Sequence, residues 1–473
     1  MPVPRIFGIE TEYGYTHLPE EGRELERPAL LRSISRLAPE IAPCVRAADG
    51  RGVFLANSSR FYLDWTPSAD KPEIATGESS NPVTLVRRSQ EGDAYMEDLA
   101  RRVEQMFGGT MIFTKTNVDY ASANTWGCHE SYLIRRGCDF QRTLVPFLCS
   151  RVIYAGSGGF SNLSQACEFT LSTRAPHLQR VVGPDSQHSR PLIHTRDESH
   201  ARKGDQRIHL IVGEGLYSET ALLLRTAATA LVVGLIEAGV DVGPSVALRN
   251  PVRALRKFSA DPLCKAAARV ENGGVVRAID IQRHYLQIAG DNLASLPLWA
   301  EPVLNLWKEI LDNLESGAEQ KEMLRLDWVV RWRLYTKFLQ SRGLDWKTMA
   351  DEASAPALSA IRAELFELDT KFGAVGNQGV FNALDEKGCL RHRIDEAHFP
   401  GDAPTRADLR GTVIQQICDN KNRDAFVAEW SYLLNRGENT WLDLTDPFEQ
   451  NAEWKPEYQP EKFRLRRIVN LLE

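Results

Sequence analysis

Short runs in which apolar and polar residues alternate dominate the first half of the chain. "RIFGIETEYG", "GVFLANSSRFYLDW", "TMIFTKTNVDY", "CHESYLIRR", "RPLIHTRD" and "QRIHLIVGE" are rich in β-branched and aromatic residues and read as strands. Between them, "NPVTLVRRSQEGDAYMEDLARRVEQMF" and the stretch from Ala221 to Gly239 carry helical patterns. From about Ile281 onward the pattern is mostly helical, through "IQRHYLQIAGDNL", "PVLNLWKEILDNLES", "LDWVVRWRLYTKFLQSR" and "ALSAIRAELFELDTKF". A Pro- and Gly-bearing break, "HFPGDAPT" at His398 to Thr405, marks off a last block that reads as a small appended domain.

Successive side chains on a strand point to opposite faces, so residues two apart share a face. Glu10 and Glu12 fall together, with Ile9 and Thr11 opposite. Arg60, Tyr62 and Asp64 share one face; Phe61, Leu63 and Trp65 share the other. Arg207 and His209 oppose Ile208 and Leu210, and His129 and Ser131 alternate with Cys128, Glu130 and Tyr132. Several strands therefore combine an apolar face with one carrying carboxylates, Arg and His. A sheet with one wet face is the bland explanation, and it predicts Lys, Ser, Thr and Gln there. The alternative is a metal–phosphate site, because clustered carboxylates raise one another's pKa unless Arg or a hard cation such as Mg²⁺ compensates. Pattern alone leaves both readings open.

Composition narrows the choice. A chain of 473 residues exceeds one ordinary core. Its 57 basic and 63 acidic residues leave a net charge of −6, which argues against nucleic-acid binding by bulk electrostatics. The start, MPVPRIFG, has no long apolar segment behind a basic end, so no signal peptide is expected. The uncharged run Thr226 to Ile236 is short of the roughly 20 residues of a membrane span, so a buried helix ending at Gly239 is predicted and no membrane partner is expected. The eight cysteines form no C-x-x-C pair, which fits reduced cytosolic thiols; Cys128, beside His129, reads more readily as a small buried hydrophobe than as a nucleophile. Neither a G-x-x-x-x-G-K-[ST] loop nor a convincing G-x-G-x-x-G is present, and "GSGGFS" at Gly156 to Ser161 reads as a turn. If ATP binds, it must lie on the sheet itself, held by metal ions and arginines.

"GIETEYG", "SRFYLD", "PEIAT", "GCHESYL", "TRDESH", "RIHLIVGE", "ALDEKG" and "RADLRG" together resemble the family of the Pup–protein ligases (proteasome accessory factor A) and their deamidase–depupylase sisters, in order from Ile6 to about Phe448. Pup is the prokaryotic ubiquitin-like protein. The resemblance implies an α+β, glutamine-synthetase-like fold: a curved antiparallel sheet forming an active-site cradle, packed by helices, over residues 1–400. A small C-terminal domain, residues 405–473, would contribute to the nucleotide site. It also implies ATP and Mg²⁺ as cofactors, with Glu10 and Glu73 as metal ligands and Tyr62 at the metal. Arg60, Thr76 and Trp430 would contact the nucleotide, and Asp64 would be the catalytic base. Strand parity and the layout of the superfamily add Glu12, Glu130 and His209 to the metal set and Arg207 to the nucleotide set.

The implied reaction is ATP-dependent. The side-chain carboxylate of the C-terminal Glu of a Pup-like modifier is phosphorylated and then joined to a lysine ε-amine of a protein substrate as an isopeptide bond; the alternatives are hydrolysis of that bond by a depupylase or deamidase, or a divergent carboxylate–amine ligase with another substrate. Gly14 to Arg60 is short, as in the ligases and unlike the depupylases, which carry a long inserted loop there. A cytoplasmic monomer is expected. The chain departs from the family at "DWTPSADKPEIAT", with extra residues between Asp64 and Glu73 and Lys71 where the family usually has His.

Overall fold

In the computed structural model, the described residues are 5–458 without 21–25, 65–69, 139, 165–166, 187–188, 197–199, 318–324, 352–355 and 402. Trp65, the four residues that follow it, residues 197–199 of "TRDESH" and the end of the expected C-terminal domain, 459–473, therefore lie outside the description.

Among the described residues, the strand Thr110–Thr114 of "TMIFTKTNVDY" pairs with Gly14–Leu18 in a separate two-stranded sheet, whereas the other five alternating runs contribute to one sheet of 13 strands. In chain order these are Phe7–Glu12 (β1), Cys44–Ala47 (β2), Val53–Leu55 (β3), Arg60–Asp64 (β4), Lys71–Ala75 (β5), Cys128–Arg135 (β6), Arg180–Gly183 (β7), Pro191–His194 (β8), Asp205–Leu210 (β9), Phe426–Glu429 (β10), Tyr432–Asn435 (β11), Thr440–Asp443 (β12) and Trp454–Pro456 (β13). Their order across the sheet is β7-β8-β9-β6-β1-β5-β4-β3-β2-β10-β11-β12-β13. Neighbours are antiparallel except at β7–β8 and β2–β10, which are parallel.

Two helices pack behind the sheet, Pro82–Phe107 (α1) and Glu219–Glu237 (α2). The α1 start is set by Asn81, whose side-chain oxygen accepts from Val83 N at 2.8 Å, with Pro82 in the first turn. The predicted apolar helix is α2: Ser218 caps it, Gly239 follows its end at φ +78°, and its most apolar window is 94% buried within the protein. A helix apolar on all sides belongs inside a core, and here it lies beneath the sheet, within a cluster that includes Phe7, Ile9, Cys128, Tyr132, Ile208 and Leu210. "GSGGFS" is a turn, as predicted, with Gly158 at φ +78° pressed against Trp328, where an added Cβ would come within 2.7 Å of the Trp328 Cα.

The last block begins with Arg406–Asp419 (α3), entered through a reciprocal cap between Thr405 and Asp408. It adds no separate sheet. Strand β10 pairs with β2 through Val427↔Arg46 and Ala428↔Ala47, and Val45 and Phe54 share a core with Ile414, Leu433 and Leu442. Nine strands separate β8 from β12 in sheet order, yet the β8–β9 connection meets the chain just after β12. Arg406 donates to the His200 carbonyl, and Arg202 pairs with Asp446. Strand twist has curled the sheet until its two ends face each other.

Candidate active site

The curl leaves a cavity of about 440 Å³ on the concave face. Register decides what points into it. On β1, Glu10 lies opposite Ala75 of β5 and His129 of β6, and Glu12 lies opposite Glu73. On β4, Tyr62 lies opposite Glu73 and Asp64 opposite Lys71. The expected nucleotide contacts Arg60, Thr76, Arg207 and Trp430 all line the cavity. So do Glu10, Tyr62, Asp64 and His209. Glu12 and Glu73 are buried beside them.

Two sets of side chains have donor atoms within 4.8 Å of one another: Glu10 with His129 and His209, and Glu12 with Asp64 and Glu73. Either set has the reach to share one cation. The first already carries positive neighbours. Glu10 has Arg207 Nη1 at 3.3 Å, His209 Nε2 at 3.6 Å and His129 Nδ1 at 3.8 Å. Burial disfavours the Glu10 anion, but the His129 hydrogen bond and the charges of His209 and Arg207 outweigh it and hold its carboxyl well below the usual range. His209 is pushed the other way, well below the usual imidazole range, by burial first, with Glu10 opposing and Arg207 reinforcing the shift.

The second set is short of positive charge. Lys71 Nζ stands 3.7 Å from Glu12 Oε1, and Gly127 N donates to Glu12 Oε2 at 2.6 Å. Glu12 is thereby lowered in spite of burial. Glu73 is pushed well above the usual range by burial and by Glu10, Glu12 and Asp64; Tyr62 donates to it at 2.5 Å. Burial and the Glu12 charge also raise Asp64, against Lys71 and His129. Among the described residues neither Glu73 nor Asp64 forms an ion pair.

Glu130, assigned to the metal set from sequence, does not belong there. It sits opposite Ile9 and so faces the back of the sheet, fully buried. Arg151 grips it through two bonds, Nη2 to Oε1 at 2.6 Å and Nη1 to Oε2 at 2.9 Å, and Arg225 Nε lies 3.6 Å away. It anchors the sheet to the core beneath. His129, its neighbour on β6, is the residue that joins Glu10. Parity along "GCHESYL" carries that signal, since consecutive residues cannot share a face.

Sequence reading also passed over the ties to α3. Glu78 Oε1 accepts from Arg406 Nε and Oε2 from Arg410 Nη2, both at 2.7 Å. Asp408 takes Arg88 Nη2 at 2.6 Å. "RADLRG" is thus the docking face of α3, and Gly411 permits its close approach: an added Cβ would fall 2.3 Å from the Ala56 carbonyl oxygen. Arg406 and Arg410, four apart on a helix, were the readable sign of one buried face.

Residues 5–434 match the family model described as Pup-ligase protein. This chain belongs to that family. Among its relatives, the Pup–protein ligase of Rhodococcus erythropolis (strain PR4 / NBRC 100887) is 34% identical over 461 residues, covering 94% of this chain and 96% of the relative. The Pup–protein ligase of Kribbella flavida (strain DSM 17836 / JCM 10339 / NBRC 14399) is 33% identical over 469 residues, 95% of this chain and 97% of that one. Two solved structures have the same fold. A complex between Pup and its ligase PafA has a TM-score of 0.79 at 27% identity, covering 99% of this chain and 93% of that one. The Pup ligase PafA in complex with ADP has a TM-score of 0.71 at 25% identity, with 96% coverage of both chains.

Proposed function

We propose that this member of the Pup-ligase family is an ATP-dependent carboxylate–amine ligase. In this reading it activates the side-chain carboxylate of the C-terminal Glu of a Pup-like modifier and joins it to a lysine ε-amine of a protein substrate. The observation that carries the reading is the gathering of Glu10, Glu12, Asp64 and Glu73 with Arg60, Arg207 and Trp430 around one cavity.

The donor set fits Mg²⁺. Glu12, Asp64 and Glu73 offer hard oxygen ligands, and the upward push on Glu73 and Asp64 is what an uncompensated carboxylate cluster should show. Glu12 and Glu73 of that set, with Tyr62 bonded to Glu73 and with Glu10 on the same face of β1, would hold the ion and leave Asp64 to act as base; when bound the ion would supply charge neutralisation for a transferring phosphoryl group. The chain's own residues do the rest. Arg60 and Arg207 supply fixed positive charge for the triphosphate, and Trp430 an aromatic face for the base. Transfer of the γ-phosphoryl group to the modifier's carboxylate gives an acyl phosphate. A lysine amine, with an ordinary pKa of about 10.4, arrives protonated and cannot attack. Asp64, which lines the cavity beside Glu12, is placed to take that proton before the amine displaces phosphate.

The proposal includes a cytoplasmic monomer with no membrane or nucleic-acid partner. The eight free cysteines support a reducing setting, and the burial of α2 supports its role as core. The test is incubation with ATP, Mg²⁺, Pup ending in Glu and a lysine-bearing protein. A new conjugate with ADP release supports ligation. Cleavage of a premade conjugate without synthesis shows a hydrolase, and binding without turnover removes the catalytic reading.

A further inference from the structure

Two guanidinium groups approach the Phe54 ring. Arg60 Cζ is 5.4 Å from its ring centroid and Arg410 Cζ is 5.6 Å away. The Trp430 ring meets Phe54 edge-on, with centroids 5.0 Å apart and planes at 78°. Arg410 also stands over the Trp430 ring at 5.1 Å and donates Nη1 to the Trp430 carbonyl at 2.9 Å. Its Nη2 donates to Glu78 Oε2 at 2.7 Å and to the Ser58 carbonyl at 3.3 Å. Arg60, Glu78, Arg406 and Trp430 line the cavity, whereas the Arg410 side chain, 0% exposed, stands behind them.

We infer that Arg410 is a positioning residue of the nucleotide site: it fixes the Trp430 backbone and ring against the cavity and, through Glu78, makes docking of α3 and occupation of the cavity one linked event. The inference rests on reading this cavity as the nucleotide site. Only a planar fork can send N–H bonds to Glu78, to Ser58 and to Trp430 while presenting a face to two aromatic rings; an ammonium cannot. Two guanidinium groups, Arg406 and Arg410, share the single Glu78 carboxylate, so the triad keeps a net positive charge at the wall of a site that would take a polyanion. Linkage is reciprocal: whatever holds Trp430 in place for the nucleotide is itself held by the nucleotide.

The test uses the full chain with Arg410→Met, in which Glu78 keeps its bond from Arg406, with the double variant Glu78→Gln/Arg410→Met, which removes both charges of the Arg410–Glu78 pair while leaving an amide oxygen for Arg406, and with Arg410→Lys. The expected result is a rise of about tenfold in the KM for ATP and in the Kd for ADP, for Met and for the double variant. The kcat at saturating ATP stays within about twofold of the parent. Lys keeps the charge but loses the fork and remains impaired. In the parent alone, ADP slows hydrogen exchange across Arg406–Asp419. A merely structural role would lower the active fraction, and with it the apparent kcat, at unchanged KM; that outcome overturns the inference, as does full rescue by Lys. A parent that binds no ADP brings down the nucleotide reading of the cavity itself. A parent that binds ADP with variants binding equally well brings down only the role of Arg410.

Discussion

Glu73 and Glu130 lie in one sheet and are almost equally buried, at 3% and 0% exposure, yet their ionisation is pushed in opposite directions. Glu130, on the back face, is lowered because Arg151 and Arg225 more than offset the burial. Glu73, on the concave face, is raised because its neighbours are Glu10, Glu12 and Asp64. Behind the sheet the protein completes its own charge balance. In front it leaves the balance open, so that the carboxyls are pushed toward their protonated form unless a cation from outside offsets them. The parity of one strand separates structure from chemistry here more cleanly than burial or residue type does.

The contrast can be broken most severely from behind. Glu130→Ala strands two guanidinium groups in the core and should cost about 3–5 kcal/mol in urea unfolding, enough to threaten folding. Next in size, Asp64→Asn should leave ADP affinity near the parent value while turnover falls by about 10²–10³, measured as conjugate formed per enzyme. Unchanged turnover would take Asp64 out of the mechanism. Glu73→Gln sharpens the comparison: it removes a repelling carboxylate and should leave metal-free stability within about 1 kcal/mol of the parent while ligation is lost. Equal destabilisation by Glu130→Ala and Glu73→Gln would erase the difference between the faces.

A fourth effect is one of slope. The Arg410 and Arg406 guanidinium groups, against the penalty of burial, hold the Glu78 carboxyl far below its usual value near 4.5. Such a group adds stability that is whole above the unfolded value and is lost as pH falls toward the folded one. Glu78→Gln should therefore be less stable at neutral pH, and its unfolding free energy should fall less steeply below pH 4.5, by about one proton. The smallest change expected is at the exposed Arg342–Glu364 pair, 42% exposed on both sides, where Arg342→Ala should move stability by no more than about 0.5 kcal/mol.

Much of this was legible in the chain. Period-two alternation exposed β1, β4, β6 and β9, and parity put Glu10 with Glu12, Arg60 with Tyr62 and Asp64, and Arg207 with His209, as the structure has them. Parity and the layout of the superfamily also point to Glu130, and there the structure differs: Glu130 shares the face of Cys128 and Tyr132 at the back of the sheet, and His129 takes its place beside Glu10. Strand order was not legible. Nothing local says that β1 runs between β5 and β6, or that β10 joins β2 in parallel, because such pairings are chosen by the whole core and not by propensity. The Glu78–Arg406–Arg410 tie spans a sequence separation of 328 and 332 residues, so "RADLRG" could be matched to a family without its purpose being visible. Residues 65–69, within the stretch expected to differ from the family pattern, fall outside the described structure.

Among the described residues, the two ends of the curled sheet meet through side chains, Arg202 on Asp446 and Arg406 on the His200 carbonyl, and not through a ladder. The two bonds differ: Arg406 is buried and also held by Glu78 and the Leu444 carbonyl, whereas the Arg202–Asp446 pair lies at the surface. Arg202 is 63% exposed, so dissolved electrolyte competes directly for its grip, and the mouth of the basin is fastened more loosely as ionic strength rises.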